Sequence, residues 1–188
     1  MGDGAEKRRA AGQHARSKAK SLRWRRFLGG DFERDFGTWS RGAEGEEVVG
    51  AVLEGLAEQG WRVIHDVSFG RGNIDHVVVG PGGILTVETK SHPGKIFLDH
   101  LDPKMVGQAY AEKKKLEEIT LMKVDSLLVF SRAYIVGPVP ARRRGVVILP
   151  ARMLAGHLER RPALISVERA EVIYRRLCLA VGQAAEAG

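Results

Sequence analysis

The chain has 188 residues, 44% of them hydrophobic, and a formal net charge of +7. This length is enough for one cored domain with appendages and too short for two comfortable ones. No apolar run is long enough to cross a bilayer, and the charged amino terminus lacks the apolar core of a secretion signal. We therefore expect a soluble, unsecreted, cytoplasmic protein, which fits its single cysteine, Cys178.

The positive charge is concentrated at the amino terminus. Residues 1–26 hold nine Lys or Arg and two acidic residues, whereas the rest of the chain holds 21 of each sign. Residues 1–23 lack regularly spaced apolar side chains, so we expect a disordered arm. Such an arm could tether nucleic acid electrostatically, without reading sequence, and this is the function that we favour. A solubilising tail or a contact with anionic lipid is also open.

After the arm and a lead-in that ends near residue 40, the hydrophobic periodicity alternates between helix and strand. The short strand near 95–98 would extend the meander formed by the three strands before it. This order of elements predicts an α/β fold with a central mixed sheet flanked by helices. The predicted elements are a helix at 42–59, strands at 61–67, 74–79, 84–90 and 95–98, a helix at 104–123, strands at 126–136 and 146–149, and helices at 151–160 and 167–181.

The two strands around Gly80-Pro81-Gly82-Gly83 predict a hairpin that brings two acids together. With the turn centred between Pro81 and Gly82, Asp75 faces Glu88 directly, and Lys90 projects on the same side as Glu88. Two facing carboxylates repel each other, so a fold normally avoids them unless a cation lies between them. The register therefore predicts a divalent metal site, Mg²⁺ or Mn²⁺, at one end of the hairpin.

The residue types at this site suit phosphodiester hydrolysis. Hard divalent cations bind carboxylate oxygens and make bound water more acidic. A lysine beside that water can orient it and offset charge in the transition state. Glu46 lies one turn before Val49 on the inward face of the first helix, where an acidic side chain is unusual unless it has a specific role. It is a candidate for a further ligand, and the alternative is stabilisation of the helix start through the macrodipole.

Several separated blocks of the sequence resemble the nuclease-related (NERD) domain, a branch of the PD-(D/E)xK superfamily. The resemblance covers roughly residues 41–130 and fades through residue 155. Ile74, where the superfamily name has proline, is typical of this branch. The blocks are Gly45-Glu46, Asn73 to Gly83, Glu88-Thr89-Lys90-Ser91 with Gly94, and Gln108-Ala109-Tyr110.

The resemblance implies a restriction-endonuclease-like core and a role for each candidate residue. Asp75 and Glu88 would bind the metal, Lys90 would serve the attacking water, Glu46 would be an additional ligand, and Gln108 would approach from the following helix. We expect residues 1–40 to form the arm and lead-in, 41–160 the nuclease-like domain, and 161–188 a carboxy-terminal helix packed on it.

The leading hypothesis is a metal-dependent nuclease that acts on DNA more readily than on RNA. The alternative is a nucleic-acid-binding or protein-interaction module that keeps the fold without turnover. Taken singly, a Glu-x-Lys pair such as Glu88 and Lys90 is often a solvated salt bridge. A glutamine on a helix, such as Gln108, is often an exposed residue with no role in a site. His76 should face away from the metal because its parity is opposite to that of Asp75.

Overall fold

A computed structural model describes residues 44–68 and 72–186, with side chains described up to residue 180. The predicted arm and lead-in, and most of the glycine-rich loop before Asn73, lie outside the described residues. The proposed division into arm, central domain and terminal helix therefore stays a prediction. Within the described ranges, no helix has the length and apolar content needed to cross a membrane.

The described chain alternates helices and strands in the predicted order, with three differences of detail. The predicted strand at 126–136 is two strands separated by a bend. The predicted helix at 151–160 begins with a separate 3-10 turn, and the predicted helix at 167–181 continues to residue 186. A short strand at Ala141–Arg143 was not predicted. The elements are α1 (44–54), β1 (Arg62–Ser68), β2 (Asn73–Gly80), β3 (Gly83–Lys90), β4 (Lys95–Phe97), α2 (Pro103–Thr120), β5 (Val124–Phe130), β6 (Tyr134–Val136), β7 (Ala141–Arg143), β8 (Val146–Pro150), α3 (Leu154–Glu159) and α4 (Val167–Glu186).

Six strands form one mixed sheet in the order β1-β2-β3-β5-β8-β7. β1, β2 and β3 are an antiparallel meander, whereas β5 runs parallel to β3 and to β8. The parallel connection from β3 to β5 contains α2, as a crossover between parallel strands requires. This arrangement confirms the predicted α/β class with a central mixed sheet flanked by helices.

Helices cover both faces of this sheet and bury its apolar side chains. On one face, Val49 and Leu53 of α1 and Leu154 of α3 pack against Leu85 and Val87 of β3. On the other face, Leu116 of α2 and Ala170, Ile173 and Leu177 of α4 pack against the meander. Because β3 lies in the interior of the sheet, its side chains are buried on both faces, which accounts for its nearly continuous apolar sequence.

The strand β4 does not extend the meander, so that prediction was wrong. It pairs in parallel with β6 as a separate two-stranded sheet, with Lys95 opposite Tyr134 and Phe97 opposite Val136. The reason is that β3 already has a neighbour on each side, β2 and β5, and so offers no free edge. The inward residues of the small sheet, Ile96 and Ile135, pack into a third apolar cluster with Phe130.

Candidate functional site

The β2–β3 hairpin has the predicted register. Its two-residue turn is Pro81-Gly82, and the ladder pairs Gly80 with Gly83 and continues to His76 with Val87. Asp75 and Glu88 are the next residues in this register, at the end of the hairpin far from the turn. The alternation along β2 and β3 places both on the sheet face that α2 covers.

Asp75 is half-buried, and its carboxylate accepts the backbone N–H of Thr89 on the facing strand, with an N···Oδ2 distance of 2.7 Å. Burial, followed by the negative charge of Glu88, raises the pKa of Asp75 to about 7, although the Thr89 hydrogen bond acts in the opposite direction. Asp75 and Glu88 therefore interact strongly across the hairpin. This is the repulsion that the register predicted.

Glu88 is the most deeply buried acid of the site, with 2% of its side chain exposed. Its Oε1 accepts a hydrogen bond from Lys90 Nζ at 2.5 Å, whereas its buried Oε2 has no hydrogen-bond partner among the described residues. A buried carboxylate oxygen of this kind carries a desolvation cost that either a bound cation or a protonated neighbouring carboxyl group would offset.

Gln108 and Glu112 of α2 extend the site by a chain of hydrogen bonds. Lys90 Nζ donates to Gln108 Oε1 at 3.0 Å, and Gln108 Nε2 donates to Glu112 Oε1 at 3.0 Å. Because an amide has one accepting and one donating end, Glu112 fixes which end of Gln108 faces Lys90. Lys90 is thus held between Glu88 and Gln108.

Glu112 is a site residue that the sequence analysis missed. It is buried, its Oε2 lacks a partner within the described chain, and it lies close enough to Glu88 to donate to it when protonated. Burial, then the charge and hydrogen bond of Glu88, raise the pKa of Glu112 to about 9. The signal was available: Glu112 follows buried Ala109 by three residues and precedes buried Leu116 by four, so it is an acid on the apolar face of its helix.

Glu46 reaches the same cluster from α1. The residue as a whole is exposed, contrary to the expectation that it lies on the buried face, whereas its carboxyl group is partly desolvated. Burial of that group, followed by the charges of Glu88 and Asp66, raises the pKa of Glu46, and Lys90 partly offsets this. Glu46 is therefore electrostatically coupled to the hairpin acids.

His76 lies on the opposite face of the sheet from these acids. It is buried against α1, and its Nδ1 is 2.9 Å from Nδ1 of His65, whose Nε2 is 3.1 Å from a carboxylate oxygen of Glu54. Burial and then the neighbouring His65 lower the pKa of His76 to about 3, so His76 is neutral. This position agrees with the parity of the strand.

The structure thus brings together four carboxyl groups, those of Glu46, Asp75, Glu88 and Glu112, around the single ammonium of Lys90. Hard oxygen donors of this kind are those that Mg²⁺ and Mn²⁺ prefer, so the residues fit a divalent cation. Within the described ranges, no three Asp, Glu, His or Cys side chains are grouped closely enough to hold an ion as they stand. Lys90 instead donates a hydrogen bond to Oε1 of Glu88.

Residues 41–131 match the family model described as the nuclease-related domain. This stretch contains β1 to β5, α2 and all of the site residues. Residues 41–131 are therefore similar to a nuclease-related domain, which confirms the resemblance drawn from the sequence blocks.

A solved structure described as a repair endonuclease from Pyrococcus abyssi is also similar to this chain. The two are 18% identical, the match covers 64% of this chain and 46% of that chain, and the TM-score is 0.35. The chain thus spans less than half of that endonuclease, and a likeness this distant carries no argument about substrate or mechanism. No curated protein matches the chain.

Proposed function

We propose that this protein is a divalent-metal-dependent nuclease that hydrolyses DNA phosphodiester bonds. The observation that carries the proposal is the cluster of four carboxyl groups, those of Glu46, Asp75, Glu88 and Glu112, in a stretch that matches the nuclease-related domain. Asp75 and Glu88 would bind Mg²⁺ or Mn²⁺, and Glu46 would add a ligand from α1. When bound, such an ion supplies a more acidic water and neutralises phosphate charge.

Lys90 is the residue best placed to act on the attacking water or on the phosphate. Its ammonium has three N–H donors, of which Glu88 and Gln108 take two. The remaining donor can orient the water or stabilise a nonbridging phosphate oxygen as negative charge develops on it. Gln108 and Glu112 support this role by holding the ammonium in place.

A non-catalytic module is the second candidate, and one observation favours it. Lys90 already neutralises Glu88, so the site has an internal counter-ion and needs no metal to stay folded. A domain that had lost turnover could keep this pair as a structural contact.

A cleavage assay separates the two candidates. Purified protein is incubated with linear, circular and single-stranded DNA in Mg²⁺ and in Mn²⁺, beside Glu88→Gln and the control Glu118→Gln, an exposed acid of α2. The nuclease proposal predicts cleavage by the wild type and by the control, and a loss of at least about 100-fold in Glu88→Gln. Cleavage that persists in Glu88→Gln would reject this site, and DNA binding without cleavage would support the module.

Metal binding can be measured separately from activity. Mn²⁺ should raise the Tm of the wild type and of Glu118→Gln, because a ligand that binds the folded state stabilises it by about 2.7 kcal/mol at a hundredfold excess over Kd. Asp75→Asn should give a much smaller shift. An equal shift in Asp75→Asn would remove this residue from the ligand set.

A further inference from the structure

The small β4–β6 sheet has an outward face that carries two exposed aromatic rings. Strand alternation places Lys95 and Phe97 of β4 and Tyr134 of β6 on this face, since Ile96 and Ile135 point inward and are buried. Phe97 is 50% exposed and Tyr134 is 59% exposed. We refer to Lys95, Phe97, Tyr134 and Arg152 as the aromatic platform.

The exposure of these rings has no structural explanation within the described chain. An aromatic side chain normally contributes to stability by being buried, and both rings lie on strands only three residues long, where burial would help most. Exposed aromatic residues that lie close together on a sheet are instead available for contact with a ligand.

Cations surround the rings. The Arg152 guanidinium carbon lies 5.9 Å from the centroid of the Tyr134 ring, and Lys95 is the direct register partner of Tyr134. Asp99, two residues after the end of β4, is paired with Arg143 at 3.5 Å, and Glu44 lies 4.0 Å from Arg132. The face therefore combines flat apolar rings with two cations, Lys95 and Arg152, for which the described residues provide no ion-pair partner, and this combination complements a polyanion that has exposed bases.

The aromatic platform is joined directly to the candidate site. Tyr134 N–H donates to Gly94 O at 2.8 Å, and Ser131 N–H donates to Lys90 O at 3.2 Å. Lys90 and Lys95 are five residues apart, so their Cα atoms are separated by at most about 18 Å. That upper limit corresponds to about five stacked nucleotides at about 3.4 Å each.

We propose that the aromatic platform binds an unpaired segment of nucleic acid, with bases stacked on Phe97 and Tyr134 and phosphates beside Lys95 and Arg152. A duplex does not suit this face because its bases are already stacked on each other, whereas single strands present their rings to aromatic side chains. The inference rests on the proposed nuclease function and names its substrate class: DNA with a single-stranded segment next to the cleaved bond.

Binding is measured by fluorescence anisotropy on the full chain, with chelator to prevent cleavage and about 0.2 M salt to weaken purely ionic contacts. The probes are oligothymidylate of about 12 nucleotides and a duplex of equal length. We expect tighter binding of the single strand, and Tyr134→Ala and Phe97→Ala should each weaken it at least about fivefold. Tyr134→Phe should retain binding, since it keeps the ring.

Tyr110→Ala is the matched control. Tyr110 is 38% exposed and also has a lysine ammonium over its ring, Lys114 Nζ at 5.8 Å, but it lies alone on α2 rather than on the platform. We expect single-strand affinity to be unchanged in this variant. A loss equal to that of Tyr134→Ala would mean that any exposed ring contributes equally, and would overturn the proposal.

Photo-crosslinking of the wild type removes dependence on the folding of a variant. Oligonucleotides that contain 5-iododeoxyuridine should crosslink to Tyr134 or Phe97, as mass spectrometry of the peptides would show. The platform would be rejected by crosslinks that occur only at other residues, or by equal affinity for duplex and single strand. It would also be rejected if the aromatic variants changed binding to a protein and left DNA binding unchanged. Because these measurements need no turnover, they can succeed even when the cleavage assay fails, and the reverse also holds.

Discussion

Glu112 and Glu88 are two carboxyl groups that face each other in a buried site, and the pKa of Glu112 reflects this. In the folded protein that pKa is raised to about 9, whereas its ordinary value is 4.5. Between these two values the folded state binds more protons than the unfolded state. The free energy of unfolding therefore decreases as pH rises through this window.

We expect the metal-free protein to lose stability as pH rises from about 7 to 9, and Glu112→Gln to lose much less, because glutamine does not titrate. The amide oxygen of the glutamine can still accept from Gln108. Urea denaturation in the presence of chelator, at several pH values, measures the slope, with Glu118→Gln as the control. Equal slopes in the wild type and in Glu112→Gln would contradict the shift.

Lys90 is the second residue whose role can be tested by itself. Lys90→Met keeps the length of the side chain but leaves the buried carboxylate of Glu88 without its counter-ion, so we expect a loss of about 1–3 kcal/mol without metal. Cleavage should fall at least about 100-fold, while the stabilisation by Mn²⁺ should persist or increase. Lys114→Met, which removes an exposed i,i+3 pair, should change the free energy of unfolding by less than about 1 kcal/mol. Full activity of Lys90→Met would exclude Lys90 from the reaction.

At the scale of elements, the site depends on the hairpin, which the sequence predicted well. Turn residues at Pro81-Gly82 and two apolar runs of equal length leave one register, and that register sets Asp75 beside Glu88. The small sheet could not be predicted in the same way, since two three-residue strands that pair in parallel across a crossover leave no local pattern. Glu112 was not predicted as a site residue because α2 carries many charged residues, so the sequence pattern did not distinguish its buried face clearly.

A substitution at Gly80 tests how tightly the hairpin is packed. A Cβ atom at this position would lie 2.2 Å from Cε3 of Trp61, so Gly80→Ala must displace the indole ring and should destabilise the protein by about 1–3 kcal/mol. Gly107→Ala, in α2 with open space at the same atom, should instead stabilise it by about 0.5–1 kcal/mol. Thermal unfolding of both variants checks the pair, and a tolerated Gly80→Ala would show that Trp61 can move freely.

At the scale of the whole molecule, the excess positive charge and the candidate site are separated along the sequence. The full excess of +7 lies in residues 1–26, outside the described part of the chain, whereas the acidic site lies in the stretch that matches the nuclease-related domain. We propose that the arm increases the local concentration of DNA without selecting a sequence.

Deletion of residues 1–26 should weaken duplex binding and flatten the dependence of log affinity on log salt. Each phosphate contact contributes about 0.9 to that slope, so nine cations set an upper limit of about 8 for the change. Titrations at several salt concentrations measure it, with cleavage of a saturating substrate as the control that the site is intact. An unchanged slope would assign the arm another role.

The central position of β3 has a consequence for motion. β3 pairs with β5 from Ile84 to Lys90 and with β2 from Gly83 to Val87, whereas β4 and β6 have only one partner each among the described strands. Amide protons on β3 can therefore exchange with solvent only through large opening events, whereas those of the small sheet need only local fraying. Glu88 and Lys90, two of the residues proposed for chemistry, thus lie on a strand expected to open slowly, whereas the surface proposed for substrate lies on strands that can adjust to it.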